Sequence, residues 1–246
     1  MKSPLFNIDP NLDLVENIRA GQLVLIDKPL TWTSFNVVNK LRYLLKQKLG
    51  IKKIKVGHAG TLDPLATGLL VICIGRKTKE INGFSGQNKT YTGSFTLGAS
   101  TPSYDKEHEI DAHYETDHVS REMIQRTAES FIGEQLQTPP IFSAKKIEGK
   151  RAYESARQGK EVKMRKSSIT IFRFEIEKIE NNEIHFLIEA SKGTYIRSIA
   201  HDFGKRLKSG AYLSSLRRTE SGEFSIKNAI SIEEFEKELN QIAPNV

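Results

Sequence analysis

The sequence has one cysteine, Cys73, in 246 residues. A lone thiol cannot close an internal disulfide, which argues for a reducing compartment. Cys73 lies in the apolar run 69–74 and reads as a small buried hydrophobe rather than a reactive thiol. The six histidines are scattered and, with one Cys, offer no readable zinc-ligand spacing. No apolar stretch approaches the ~20 residues of a membrane span, and residues 1–17 lack the apolar centre of an export signal. A cytoplasmic protein without a metal or membrane partner is the expectation. Also missing are a GxxxxGK[ST] phosphate loop, a GxGxxG turn after a strand and a serine-centred nucleophile elbow. Nucleotide-cofactor chemistry therefore has no sequence support.

What is present is a basic, foldable chain. Lys plus Arg number 37 against 30 Asp plus Glu, a net charge of +7, with a pI near 9.3. This balance suits a polyanionic partner, because neutralised phosphates release counterions. Mild basicity is also common among proteins that bind no nucleic acid. Hydrophobic residues make up 38% and charged ones 27%, enough for a core and far from a disordered composition.

Residues 22–27 (QLVLID), closed by Lys28-Pro29, have the pattern of a strand ending in a turn. Thr33 or Ser34 then caps a helix with Phe35, Val38, Leu41, Leu45 and Leu49 on one face, ended by Gly50. After a Gly-rich loop, 69–74 reads as a strand buried on both faces. Residues 91–97 form another strand, and the polar stretch 100–118 a long surface loop. Ser120 caps a helix with Ile124, Ala128, Phe131 and Ile132 inward, and Pro139-Pro140 breaks the chain. The apolar phase of 167–179 shifts between Ile171 and Phe172, predicting a bulge, and 184–190 alternates as a half-buried strand. A helix from Thr194 presents Ile196, Ile199, Ala200, Phe203 and Leu207. Strands and helices interleave without a strict βα repeat, so the expected class is α+β, a mixed, largely antiparallel sheet flanked by helices and loops.

The densest chemical signal is 55–68, KVGHAGTLDPLATG. Glycines bracket one acid, Asp63, and Pro64 stiffens the backbone after it. Such a loop can approach a ligand closely and hold a carboxylate in a fixed direction. A turn in which Asp63 caps the next segment fits the same residues, and His58 alone fits a hydrogen-bonded structural role. In Ser191-Lys192-Gly193-Thr194-Tyr195-Ile196-Arg197, a Thr194 cap would put Arg197 in the first helical turn, where the dipole disfavours a cation. A nearby anion would explain it, either a carboxylate such as Asp63 or an RNA phosphate; an arginine that reaches away into solvent would as well. Tyr91 at a strand start serves sheet packing or a flat floor for a nucleobase. Cation clusters (Lys52, Lys53, Lys55; Arg76, Lys77, Lys79; Lys145, Lys146, Lys150, Arg151; Lys163, Arg165, Lys166; Arg217, Arg218) are solvated faces or parts of a phosphate-tracking surface.

On these residues the chain resembles a known family. The stretch 57–70 is similar to the G-H-x-G-x-L-D-P-x-A-x-G-x-L loop of the TruB-type tRNA pseudouridine-55 synthases. The likeness continues through Asp27-Lys28-Pro29 with Thr33-Ser34, Lys89-x-Tyr91, Leu97-Gly98 and Pro139-Pro140-x-Phe142-Ser143-Ala144-x-Lys146. It runs on through Tyr153-x-x-Ala156-Arg157-x-Gly159, Lys192-Gly193-Thr194-Tyr195-Ile196-Arg197 and Leu213-x-x-Leu216-Arg217-Arg218-Thr219. It departs at Thr31, where the family often has glycine, and at Pro102, where the family has an acid.

The resemblance implies a pseudouridine synthase fold and a single catalytic domain over 1–246. A mobile RNA-gripping segment over 137–166 goes with it, and so little chain follows Arg218 that a C-terminal PUA-type domain is expected to be absent. It implies Asp63 as catalytic aspartate, Tyr91 stacked on the target base, Arg197 as partner of the aspartate, and His58 holding the rearranged T-loop. Lys28, Pro29, Leu216 and Tyr195 would complete the substrate site. The implied reaction breaks the N1–C1′ bond of a uridine, turns the uracil and rejoins it through C5. Atoms and redox state balance, so no cofactor is expected. The expected partner is tRNA, with no obligate protein partner. Three rivals remain at this level: a non-catalytic RNA-binding or RNA-folding protein, a synthase with another RNA target, such as a guide-RNA-dependent one in a protein assembly, and a metabolic α+β enzyme.

Overall fold

The computed structural model describes residues 5–143, 146–147, 150–151 and 164–242. The chain begins with α1 (Leu14–Ala20), β1 (Gln22–Lys28), α2 (Ser34–Leu49), β2 (Val56–His58), β3 (Ala66–Ile74), α3 (Ile81–Ser85) and β4 (Lys89–Leu97). Next come β5 (Ala99–Ser100), β6 (Ala112–His113), α4 (Arg121–Glu129), β7 (Gly133–Gln137), β8 (Lys146–Ile147) and β9 (Lys150–Arg151). The last part holds β10 (Ser167–Glu180), β11 (Glu183–Ala190), α5 (Ile196–Leu207), β12 (Ala211–Ser221), β13 (Phe224–Ser225) and α6 (Ile232–Ile242). The chain divides into two compact units, Met1–Lys89 with Arg217–Val246, and Thr90–Leu216.

In the first unit β1 runs antiparallel to β3, in register from Gln22↔Ile74 to Lys28↔Gly68. β3 is apolar on both faces because both are covered. Leu70, Ile72 and Ile74 join the core beneath α2 and α6, while Leu69 and Val71 pack towards Phe84 and Phe224. Cys73 is fully buried in the same strand. α2 starts as a capping box: the Thr33 hydroxyl accepts the Asn36 N–H at 3.0 Å, and Asn36 Oδ1 accepts the Thr33 N–H at 2.9 Å. Gly50 closes it in the left-handed region at φ 62°. Val38, Leu41, Leu45 and Leu49 face the core, but Phe35 is 62% exposed. The inner stripe passes instead through Val37 and Leu44, so Phe35 sits on the solvent side of the first turn.

In the second unit the strand order is β12, β4, β11, β10, β7, and β10 is antiparallel to both β11 and β7. The expected shift between Ile171 and Phe172 is a register break between Ile171 and Arg173, and a second lies between Ile176 and Lys178. Buried Ile184, Phe186, Ile188 and Ala190 alternate along β11. The core is aromatic: Phe95, Phe131, Phe174, Phe186 and Phe203 form a set of ring contacts, the closest being Phe95–Phe186 at 4.3 Å. α4 buries Ile124 and Ala128 as expected, but Ile132 is 51% exposed. The helix ends at Glu129, so Ile132 no longer follows helical phase. The stretch 100–118 is largely loop, with short pairing of β5 and β6.

Most of the segment 144–163, and with it much of the expected RNA-gripping stretch, lies outside the described residues. Among the described residues no helix is long and apolar enough to cross a membrane.

Candidate active site

Asp63 sits in the first unit, in a loop whose backbone is tied down on both sides of it. On the near side, the Leu62 N–H donates to Ser34 Oγ at 2.9 Å, and that hydroxyl donates back to the Leu62 carbonyl at 3.2 Å. On the far side, the Thr31 N–H donates to the Pro64 carbonyl at 2.8 Å, and the Ala66 N–H closes a turn onto the Asp63 carbonyl at 3.1 Å. The start of α2 is therefore the frame on which the acid is mounted. Gly60 and Gly68 take φ 99° and 103°, which side chains rarely adopt. At Gly68 a Cβ would meet the Arg218 carbonyl oxygen at 2.3 Å. This glycine is needed for close approach as much as for its dihedral.

Arg218 is 1% exposed. Its Nε donates to the Leu69 carbonyl at 2.7 Å and an Nη to the Gly60 carbonyl at 3.0 Å, bracing both limbs of the Asp63 loop. It is not part of a solvated basic face. Arg217 is engaged as well, with its guanidinium 2.6 Å from the Asp27 carboxylate. Arg217 and Arg218 are consecutive in β12 and face opposite sides of it, and nothing in the sequence says which arginine points inward.

Lys28 is fully buried. Its ammonium donates to the carbonyls of Pro29 at 2.9 Å and Trp32 at 2.6 Å, curling the turn that leads into α2. Burial pulls its pKa down to about 8, the Asp63 charge pulls it back up, and Arg218 pushes it down. Lys28, Asp63 and Arg218 therefore share one electrostatic neighbourhood. His58, at the end of β2, also has a lowered pKa, first from burial and then from Arg218. A backbone hydrogen bond with Gly60 acts in the opposite direction without reversing the shift, so the neutral ring is favoured near pH 7. Pro29 lines an open cleft of about 340 Å³ together with Asp27, Lys28, Thr67, Arg217 and Glu234.

The remaining expected site residues belong to the second unit. Tyr91 is 9% exposed on β4. Tyr195, not Thr194, is the cap of α5; the Thr194 hydroxyl donates instead to the Ser191 carbonyl at 2.9 Å. The Gln137 side chain reads both polar groups of the Tyr195 backbone, accepting its N–H at 2.9 Å and donating to its carbonyl at 3.1 Å. Leu216 lies half-buried in β12.

Arg197 occupies the first turn of α5 and is 4% exposed, which rules out the solvated alternative. It donates to the carbonyls of Ser103 at 3.2 Å and Phe142 at 3.0 Å, and its Nε lies 3.6 Å from Asp105 Oδ2. Asp105, 4% exposed, is an anion that offsets the unfavourable helix position. Sequence reading did not single it out, because it stands among several acids in a polar stretch with no periodicity to mark the buried one.

Residues 46–196 match the profile of the TruB family pseudouridylate synthase N-terminal domain, and 197–243 match the tRNA pseudouridylate synthase B C-terminal domain. The chain belongs to the TruB family. It is an enzyme family that makes pseudouridine, and the Asp63 loop, Tyr91 and Arg197 all fall within the matched TruB regions.

Among similar curated proteins, the tRNA pseudouridine synthase B of Flavobacterium johnsoniae is 54% identical over 91% of this chain and 98% of its own. That of Phocaeicola vulgatus is 48% identical over 92% and 96%. Among solved structures, the chain resembles one in an archaeal box H/ACA sRNP Nop10–Cbf5 complex, with TM-score 0.67 and 24% identity over 98% of this chain and 60% of that one. A Cbf5–Nop10–Gar1 complex gives TM-score 0.68 and 26% identity over 97% and 65%. Both likenesses support the pseudouridine synthase fold. The chain spans less than two thirds of the length of those structural neighbours.

Proposed function

We propose that this TruB-family protein isomerises a uridine in the T-loop of tRNA to pseudouridine, with Asp63 as the catalytic carboxylate. What carries the reading is the mounting of Asp63: a single acid in the family's signature loop, its neighbours fixed to Ser34 and Thr31, with buried Lys28 in its field. The choice of tRNA follows the curated relatives, which are far more similar to this chain than the RNP components are.

The chemistry suits these residues. The target base first leaves the RNA stack, at a cost on the order of a few kcal/mol. A ring such as Tyr91 offsets part of that cost by stacking. Breaking N1–C1′ leaves positive character at C1′, which an ionised carboxylate stabilises or traps. Attack on C1′, attack on the base and abstraction of a sugar proton are all open to Asp63. In this reading Lys28, Pro29, Tyr195 and Leu216 have substrate-binding roles, His58 holds the rearranged loop, and Arg197 has the role of partner to the aspartate.

The test is an unmodified tRNA transcript incubated with purified protein and mapped for pseudouridine. Product at the T-loop uridine is expected, and Asp63→Asn should abolish turnover while RNA binding survives. Arg197→Lys should be severely impaired, because an ammonium does not reproduce a planar guanidinium's contacts. Wild-type conversion by Asp63→Asn removes Asp63 from the mechanism. Binding without product by the wild type favours an RNA-binding protein instead.

A further inference from the structure

Tyr104 stands at φ 65°, a left-handed conformation that costs a bulky L-residue energy and persists only where its surroundings enforce it. Its ring lies flat on His201, with centroids 4.1 Å apart and planes 19° from parallel. His201 is on α5, one turn after Arg197, so both side chains leave the same face of the helix. Asp105, next in sequence to Tyr104, is the acid beside Arg197, and Ser103, just before it, offers its carbonyl to the same guanidinium.

The loop is therefore stapled to one helix face at two points. The Thr101 hydroxyl donates to the Asp105 carbonyl at 2.7 Å, and the Leu213 N–H to the Tyr104 carbonyl at 2.9 Å, so the loop backbone has little slack. Without the ring stack, only these hydrogen bonds to the backbone would hold Tyr104 in the left-handed region. The dihedral change would be felt first at its two neighbours in the chain, Ser103 and Asp105, two of the groups that hold the Arg197 guanidinium.

We propose that the Tyr104–His201 stack is a positioning device for Arg197 in the pseudouridine-forming reaction: it locks a strained backbone that aims Asp105 and the Ser103 carbonyl at the guanidinium. Tyr104 and His201 act through Arg197 rather than on substrate. The role in turnover rests on the functional reading above.

The test compares His201→Ala, His201→Phe, Asp105→Ala and the double variant His201→Ala/Asp105→Ala. Three quantities are read: the single-turnover rate on a T-loop RNA, the Kd for that RNA, and the Arg197 Nε–H resonance of the free protein. His201→Ala should slow turnover about tenfold to a hundredfold, the scale of an ångström-sized misplacement. The Kd should stay within about twofold of wild type on that scale, and the Arg197 resonance should shift or broaden. His201→Phe, which keeps a ring for Tyr104, should restore both the rate and the resonance. Adding His201→Ala to Asp105→Ala should slow turnover no further, because both act through one guanidinium.

An unmoved Arg197 resonance in His201→Ala, a His201→Phe variant as slow as the alanine one, or rate losses that multiply would each overturn the proposal. A wild-type protein that makes no pseudouridine would instead refute the functional reading, and the resonance would still decide whether the stack positions Arg197.

Discussion

Thr31 stands at φ 70° and donates its backbone N–H to the Pro64 carbonyl at 2.8 Å, so a β-branched residue in the left-handed region holds the residue that follows the catalytic candidate. Glycine is frequent in the family at this point, and the turn kept here is one glycine would enter without strain. The left-handed conformation costs an L-residue about 1–2 kcal/mol, and glycine's extra freedom in the unfolded chain offsets part of any relief. Thr31→Gly is therefore expected to stabilise the protein by up to about 1 kcal/mol, raising Tm by about 2–4 °C. A thermal melt that shows a lower Tm would mean that the threonine side chain holds the turn.

Gly68→Ala should act in the opposite direction. Its Cβ would fall 2.3 Å from the Arg218 carbonyl and 2.8 Å from the Arg218 N, both backbone atoms with little room to give. A loss of about 3 kcal/mol is expected in urea unfolding, in the range of overpacking and dihedral strain combined. A variant as stable as wild type would show that the strand beside Gly68 moves more freely than this contact allows.

Lys28 gives a pH signature. Its folded pKa of about 8 lies below the ordinary lysine value of 10.5. Between these values the unfolded chain holds a proton that the folded one has released, so this group's contribution to stability rises as pH increases from about 8 towards 10.5. NMR of the Lys28 side chain should show a midpoint near 8, and Lys28→Met should flatten that part of the stability profile. Asp63 pulls the Lys28 pKa upward, so Asp63→Asn should lower the midpoint further. An unchanged midpoint in that variant would deny that the two charges interact.

The Arg197–Asp105 pair is the fourth test. Both partners are 4% exposed, and removing one charge of a buried pair leaves the other poorly compensated. Asp105→Asn is expected to cost about 3 kcal/mol in chemical unfolding. A loss below about 1 kcal/mol would place the pair in the class of exposed salt bridges.

Much of this molecule is legible in the chain itself. The 69–74 run is apolar at every position because β3 is covered on both faces, and the alternation of 184–190 matches the buried residues of β11. The phase shift at Ile171 is a real register break, since an inserted residue must change face. The helix signals at Thr33, Ser120 and Gly50 mark real ends, because capping is a local matter of side chain and backbone. Phe35 and Ile132 misled because apolar character biases a residue inward without compelling it there.

The linear order of residues by itself marked the loop around Asp63 as the densest chemical signal, because the conformational effects of its glycines and proline are local. It also determined family and class, through motifs spread along the whole chain. Only the tertiary structure decided which charged residues are buried. Arg218 lies inside because the distant carbonyls of Leu69 and Gly60 await it, Lys28 because its own turn folds the Pro29 and Trp32 carbonyls onto its ammonium, and Arg197 because Asp105 comes to it from across the unit. A cation is tolerated in an interior only where the fold supplies its partners, and partners far apart in the chain leave no pattern in sequence spacing.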